Sequence, residues 1–431
     1  MGFLKVLRLP HLAILWVSQV LSAMGDFFYL IAVMWIAVKV AGSAAGIVAA
    51  AEAGSMLLFG LLGGVYADRW NRRTTMIVVD MLRTLAVGVL PVLVLTGTLQ
   101  LWHLVVVAVV VGSLSALFDP ALQASLPALT GNSQILQATN GLMDVTRRLA
   151  RTLSPSLAGL LIIFLPLAHF FTLDAISFAI SALAVFSLGR HFAWKPERSQ
   201  ETTRGVKGIA REIGGALRLI RTHSSLTWIF GSYAFINMVW SMGFTIGVPL
   251  LAARVLGGNI GAYGLIVGAY GVGNVVSNLV IGSLTIHRRV LTIFTGKLVL
   301  GAGFFLLAFA PALPVALIGS ALAAIGGPMG DIMLLTMIQT DLPSNQIGKV
   351  YSLLMILQSA GASIGLLLAV PLFTLVSVPI GIACCASVMV AVGIAGLARF
   401  GYSDPVIKLT HKEQGKVPLD AANTTDNMPA P

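Results

Sequence analysis

Long apolar runs decide what this chain can become. Breaking the sequence at its charge clusters and at Gly, Pro and Asn punctuation leaves twelve stretches of the length one helix needs to cross a bilayer core, about 20 residues. The first six are 11–38, 43–67, 74–97, 101–125, 141–165 and 168–189. The second six are 226–252, 260–284, 290–310, 313–338, 347–375 and 378–399. Only 10% of the 431 residues are charged, against about 25% in a soluble domain. Too few polar groups remain to cover a water-facing surface, which argues against soluble enzymes, nucleic-acid-binding modules and disordered chains. A transmembrane barrel would need short strands of alternating polarity, and runs such as Leu104 to Gly112 do not alternate. The expected fold class is all-α and integral to a membrane.

The net charge of +11 would point to nucleic acid in a soluble chain. Here the positions of the charges give another account. Of 27 Lys and Arg, 23 fall at the N-terminus, in the tail or in alternate connections (69–73, 147–151, 190–221, 288–289 and 349). Only Lys39 and Arg254 fall on the other side, while Arg83 and Lys297 sit within spans. Basic residues resist translocation, so both termini are expected in the cytoplasm of a plasma, or cell inner, membrane. Lys5 and Arg8 precede the first stretch as in a signal peptide, but its apolar run continues through Phe27 to Val38, beyond a signal core of about 7–15 residues. It reads as a retained helix. Cys384 and Cys385 are adjacent in an apolar run and fit neither a disulfide framework nor a metal site.

An internal repeat organises the spans. Met24-Gly25 is echoed by Met242-Gly243, Asp119 by Asp331, and Leu126-Pro127 by Leu342-Pro343, at offsets of 218, 212 and 216. Each Leu-Pro precedes an Asn and then a helix expected to begin near 140 or 349. Two parallel six-helix repeats around a mid-membrane cavity are an architecture of secondary transporters, and that architecture predicts alternating access. The expected units are a first bundle at 1–190, a linker at 191–222 with a surface helix from Ile209 to Ile220, a second bundle at 223–402, and a disordered tail at 403–431.

After the second stretch the chain reads Gly64-Val65-Tyr66-Ala67-Asp68-Arg69-Trp70-Asn71-Arg72-Arg73. This resembles the loop signature of the major facilitator superfamily, G-x-L-A-D-R-x-G-R-K/R, with Tyr66 in place of the Leu and Asn71 in place of the second Gly. Asn71 tolerates the left-handed conformation that a turn there can need, and Gly60 and Gly64 form a small-xxx-small pair for close helix approach. A reduced copy, Gly282 and then His287-Arg288-Arg289, follows the eighth stretch. The resemblance implies that Gly64, Asp68, Arg69, Arg72 and Arg73 act as a cytoplasmic gate latch, the arginines pairing with carboxylates or lipid phosphates. The alternative is a generic basic turn. Met24-Gly25-Asp26-Phe27-Phe28-Tyr29, Asn140-Gly141-Leu142 and Arg147-Arg148-Leu149-Ala150-Arg151 are similar to the macrolide-efflux and enterobactin-exporter branch. Ser154-Pro155-Ser156-Leu157-Ala158-Gly159 resembles a worn antiporter motif, G-P-x-x-G-G. No arginine precedes Asp119 in the fourth stretch, so the arginine-based proton coupling of other drug-exporter branches does not carry over.

An ionisable side chain at bilayer depth costs about 2.5–3.5 kcal/mol on insertion scales and marks a functional candidate. Asp26 lies 15 residues past His11, and Glu52 lies 16 before Asp68. At about 1.5 Å per residue the two carboxylates share a depth on successive helices. If both face the cavity, they are the candidates for exchanging a proton during transport; structural hydrogen bonding is the alternative. Asp80 and Arg83 are three apart on one helix face and can pair. Asp144, Arg147, Arg148 and Arg151 form one charged stripe, read either as an ion-pair gate or as helix-end charges meeting headgroups. Asp119, Asp174, Lys297 and Asp331 are read first as structural. Met24, Phe27, Phe28, Met34 and Trp35, with Asn237, Trp240, Met242 and Phe244 from the repeat, are candidate cavity-lining residues, because Met and aromatic side chains adapt to varied apolar ligands. Gln123, Gln339 and Gln358 would add neutral hydrogen bonds.

No Walker signature, metal cluster or nucleophile–base pair appears in the sequence, so catalysis and ATP-driven transport are unsupported. The expected protein is a monomeric transporter acting on a small molecule in the lipid bilayer, with no nucleic acid, no metal and no cofactor beyond the proton gradient. Proton-driven efflux of amphipathic organic compounds is the first reading. Export of one endogenous metabolite, such as a siderophore or lysophospholipid, is the alternative, and a membrane sensor or intramembrane enzyme is the reading from another class.

Overall fold

The computed structural model describes residues 2–66, 70–130, 133–162, 164–189, 214, 217, 218, 220, 224–258, 260–284, 286–341 and 344–400. Among them the regular structure is helical throughout. After a short helix at Gly2–Leu7 come α1 (Pro10–Ala41), α2 (Ala45–Tyr66), α3 (Arg72–Leu95), α4 (Leu101–Thr130), α5 (Ser133–Leu161) and α6 (Ala168–Ser187). The second set is α7 (Ser224–Trp240, a π-helical segment Ser241–Gly247, and Val248–Arg254), α8 (Ile260–Ser283), α9 (Arg289–Ala308), α10 (Leu313–Asp341), α11 (Ser344–Leu375) and α12 (Val378–Phe400). Asp68 and Arg69, most of the 191–222 linker and the 403–431 tail lie outside the described residues. Of the expected Ile209–Ile220 helix, residues 214, 217, 218 and 220 are described, and all are helical.

Among the described residues ten segments are long and apolar enough to cross a membrane, the first of which, Pro10–Met56, takes in α1 and the start of α2. Of the twelve numbered helices α5 lies outside these segments, and its part up to Arg151 carries Gln134, Gln137, Asn140, Asp144 and three arginines. It begins at Ser133, well before the 141 that the Asn-Gly punctuation suggested, and α11 likewise begins at Ser344. An Asn or a Gly inside a helix costs only about 1 kcal/mol or less, so neither need end one. Nor does Pro127 end α4, which continues to Thr130.

The packing repeats as the sequence does. Within the first bundle α2 packs on α4, α3 on α4 and α6, and α1 on α5 and α6. Within the second, α8 packs on α10, α9 on α10 and α12, and α7 on α11 and α12. The bundles meet along two flanks, α2 against α11 and α5 against α8, which the repeat exchanges. Small residues permit these contacts. A β-carbon on Gly46 would strike the Leu366 carbonyl of α11, and one on Gly159 would strike Gly264 of α8.

The apolar core shows which end of the molecule is shut. One large cluster joins both bundles where α1 ends and α7 passes into Val248–Arg254, with Trp35, Val38, Ala45, Leu250, Tyr263, Leu366 and Phe373 among its members. Toward the opposite end the core divides. Leu12, Met76, Phe118, Leu126 and Val185 belong to a cluster of the first bundle alone, and Phe230, Phe294, Met337, Leu353 and Phe400 to one of the second alone. The molecule is therefore two bundles joined at one end with a cleft between them.

Candidate functional site

Asp26 shows how the cleft is reached. Its side chain is exposed, yet it lies within electrostatic reach of Arg83 on α3, Asp119 on α4, Glu52 on α2 and Asp174 on α6. A group surrounded by four helices and still open to solvent faces the cleft. Asp119 and Gln123, four residues apart on α4, are exposed too, and Glu52 is half-buried. The expected meeting of Asp26 with Glu52 is therefore present, and Asp119 and Asp174 join it.

Behind this surface lies the cation. Arg83 is 5% exposed, 3.4 Å from Asp80 Oδ1, and its guanidinium lies 5.1 Å from the rings of both Phe118 and Phe178. Stacking of a desolvated guanidinium on aromatic faces is worth about 2 kcal/mol, so α4 and α6 hold the charge that α3 supplies. Beside Asp80, the Ser181 hydroxyl accepts a hydrogen bond from Gln19 Nε2 of α1 at 3.1 Å. Asp174 is fully buried where α6 meets Gly25, at which a β-carbon would lie 2.5 Å from both Asp174 Oδ1 and Ser177 Oγ. Gly25 thus lets a carboxylate approach the α1 backbone.

The second bundle repeats the plan with different chemistry. Lys297 of α9 is 5% exposed, donates to Ser232 Oγ, and sits 5.0 Å from the Tyr233 ring and 4.7 Å from that of Phe294. Asp331 on α10 is exposed and lies within electrostatic reach of Lys297, Tyr233 of α7 and Tyr270 of α8. Surrounded by three helices and open to solvent, it faces the cleft from the other wall. On α7 and α8, half-buried Trp240, Phe244 and Tyr270 form an aromatic wall. Trp240 stacks on Phe244 at 5.2 Å, Phe244 meets Tyr270 at 4.2 Å, and Trp240 Nε1 donates to the Tyr270 hydroxyl at 3.0 Å.

The remaining expected residues divide. Met24 and Phe27 are half-buried, as is Gln358. Asn237 spends its amide on the Tyr233 carbonyl at 3.0 Å. Phe28, Met34, Trp35 and Met242 do not line the cleft in this conformation: all are buried in the shared core. Phe28 packs on Phe170, and Trp35 stacks on Tyr263 of the opposite bundle at 5.4 Å. Composition cannot separate such residues from cavity residues on a helix that is apolar all round.

At the loop after α2, Gly64 is on the last turns of α2. Asn71 is not left-handed: at φ −64° it caps α3, accepting from Thr74 N–H at 3.2 Å. Arg73 donates to the Phe186 carbonyl at 2.7 Å and lies over the Phe186 ring, so among the described residues it binds the C-terminal end of α6. Arg72 is half-buried beside it. Asp144, Arg147, Arg148, Arg151 and Gln339 lie on described helices, but their side chains are outside the described set.

Sequence reasoning missed the contacts at the shut end. Lys39 donates to the Gly258 carbonyl at 3.1 Å, and the Arg254 guanidinium packs against Gly42, where a β-carbon would lie 2.6 Å from Nη2. One available signal was that these are the two basic residues that break the charge bias.

The sequence pattern of the Major Facilitator Superfamily matches residues 15–366 and 241–421. A multidrug efflux pump, Tap, of Mycolicibacterium fortuitum is 29% identical over 384 residues, covering 85% of this chain and 89% of that protein. Tap of Mycobacterium tuberculosis (strain ATCC 25618 / H37Rv) is 29% identical over 374 residues, covering 82% and 85%. Macrolide efflux protein A of Streptococcus pyogenes is 21% identical over 367 residues, covering 82% and 87%. Among solved structures, a POT family transporter in complex with a thioalcohol-conjugated peptide superposes with a TM-score of 0.66 at 11% identity, over 90% of this chain and 95% of that one.

Proposed function

The chain belongs to the Major Facilitator Superfamily, and from that premise we propose that it exports amphipathic organic compounds in exchange for protons, by alternating access of the cleft to the two sides of the membrane. One observation carries the reading. A single guanidinium, Arg83, stands among four carboxyl groups at bilayer depth, Asp26, Glu52, Asp80 and Asp174, and Asp26 opens to the cleft. Four such acids around one cation approach neutrality only by holding protons, since an unpaired ion at this depth is costly. Asp80 is committed to Arg83 and Asp174 is buried against α1. Asp26 and Glu52 are left to exchange protons with the cleft.

With both termini in the cytoplasm of the plasma membrane, the joined end is the external gate. Trp35 on Tyr263, Lys39 on Gly258 and Arg254 against Gly42 hold it shut, and the cleft opens inward. A proton from outside would then be released into the cytoplasm as substrate enters the cleft. The multidrug and macrolide efflux names of the relatives support a broad range of organic substrates, and the aromatic wall of Trp240, Phe244 and Tyr270 suits their apolar parts. The protein would act as a monomer, with the proton gradient as its energy source.

The test is gradient-driven transport of a dye and an antibiotic panel in vesicles, comparing wild type with Asp26→Asn and Glu52→Gln. Uphill efflux should disappear in the variants while downhill equilibration persists. Wild-type efflux that survives collapse of the pH gradient would end the antiport reading.

A further inference from the structure

Arg83 and Lys297 occupy the same place in the two repeats, 214 residues apart on α3 and α9. The same offset takes Asp80, the ion-pair partner of Arg83, to Phe294. The first bundle thus answers its buried cation with a carboxylate on the same helix, and the second answers with an aromatic ring 4.7 Å from Nζ. The nearby counter-charge for Lys297 comes from α10, where Asp331 faces the cleft. Glycine packing brings the two helices together: a β-carbon on Gly296 would lie 2.6 Å from the Gly326 carbonyl oxygen, and one on Gly303 would strike α10 at Ala323. Tyr233 sits between the charges, its ring against Nζ and its hydroxyl toward Asp331. One residue before Asp331, Gly330 makes room for that hydroxyl, which a β-carbon would approach to 2.8 Å.

The identity of the cation matters. A guanidinium stays charged in a protein, whereas a buried lysine ammonium gives up its proton when its surroundings change. Lys297 is faced by Ser232 and Tyr233 from α7, by Tyr270 from α8 by way of Asp331, and by Asp331 from α10. On the α12 side, α9 packs through its neighbours, Gly301 facing Met389 and Leu298 facing Gly393. Its charge therefore depends on one solvent-facing carboxylate. We propose that Lys297 and Asp331 form a second exchange site, at which an organic cation binding to Asp331 from the cleft displaces the proton of Lys297. The charge balances: a lysinium–carboxylate pair and an incoming cation become a neutral amine, a cation–carboxylate pair and one proton. That proton leaves by way of the Tyr233 hydroxyl to the cleft water, and no covalent bond to carbon changes. The site rests on the antiport reading above and adds to it a substrate class, amphipathic monocations, bound at the second bundle.

Proton release on binding tests it, using full-length protein in a weakly buffered detergent solution and tetraphenylphosphonium as the probe. A pH-sensitive dye reads the protons, and calorimetry reads the bound probe. In an Asp26→Asn/Glu52→Gln background the probe should still release protons. Adding Lys297→Arg should abolish that release, although the charge and the fold are kept, as size exclusion checks. Asp331→Asn should weaken probe binding about tenfold or more, the loss of one contact to a charged group. Tyr233→Phe, a positioning change, should slow the release while leaving its final extent and the affinity in place. Release unchanged by Lys297→Arg, probe affinity unchanged by Asp331→Asn, or a wild type that does not bind the probe would each overturn the proposal. The two readings fail separately. Binding-linked release without gradient-driven efflux would sink the antiport reading alone, and gradient-driven efflux without release at Lys297 would sink only the second site.

Discussion

The two bundles share a packing plan and differ in how they treat charge. In the first, Arg83 is locked by Asp80 on its own helix and by rings from α4 and α6, and four carboxyl groups surround it. In the second, Lys297 is caged by Tyr233 and Phe294, and its counter-charge stands on another helix at the edge of the cleft. The loops differ in the same sense. Asn71 caps α3 with its side chain, whereas Arg288, at the corresponding place before α9, makes no such bond. Arg73 binds the end of α6, while Arg289 of the second copy reaches Thr340 on α10 at 2.8 Å. Duplication thus preserved which helices touch more strictly than which charges they carry, because helix contact depends on small residues and apolar volume, while a charge depends on one partner that a single substitution can remove.

That contrast can be broken at several points. The largest effect is expected from Asp80→Asn, which removes the ion-pair partner that Arg83 has on its own helix. Breaking a buried pair from one side costs about 3–5 kcal/mol, seen as loss of folded protein on thermal unfolding in detergent. Next comes Arg73→Ala, which removes a charged donor from the α6 terminus and should cost about 1.5–3 kcal/mol. Asn71→Ala should cost about 1 kcal/mol as a lost cap, and Arg288→Ala close to nothing, so the same unfolding measurement on this pair reads the asymmetry of the two loops. A small effect is also expected from Lys297→Met. A flexible apolar chain in the Tyr233–Phe294 cage should leave stability within about 1 kcal/mol of wild type, since an apolar replacement of similar volume is commonly neutral. A loss as large as that of Asp80→Asn would make the two cations equivalent and remove the contrast.

Much of this was legible from residues alone. Spans follow from apolar length, the repeat from three nearly constant offsets, and the Asp80–Arg83 pair from its i, i+3 spacing. Asp26 and Glu52 were found by counting their depth from the ends of their helices. What stayed hidden depends on direction across the membrane plane. On α1 almost every position is apolar, so Met34 in the core and Leu30 on an exposed face look alike to hydropathy. The Trp35–Tyr263 stack and the Arg73 cap join residues more than 100 apart, and no local pattern encodes them. Asn71 was open to more than one reading, because Asn suits both a left-handed turn and a helix cap and only the backbone angle decides.

The π-helical stretch of α7 could not be anticipated either, and it has a consequence of its own. Between Ser241 and Gly247 the helix is wound more loosely than its neighbours, as if one surplus residue were stored there. Such a defect resembles a dislocation in a crystal: it can glide along the rod by swapping hydrogen-bond partners a few at a time, without the rod ever melting. Each residue it passes is turned by about 100° relative to the part left behind. Trp240 and Phe244 lie at and within one border of that stretch and Arg254 beyond the other, so a glide of one turn would swivel the wall of the binding cleft against the clasp at the far end. A single-residue deletion inside 241–247 would anneal the defect and fix that angle.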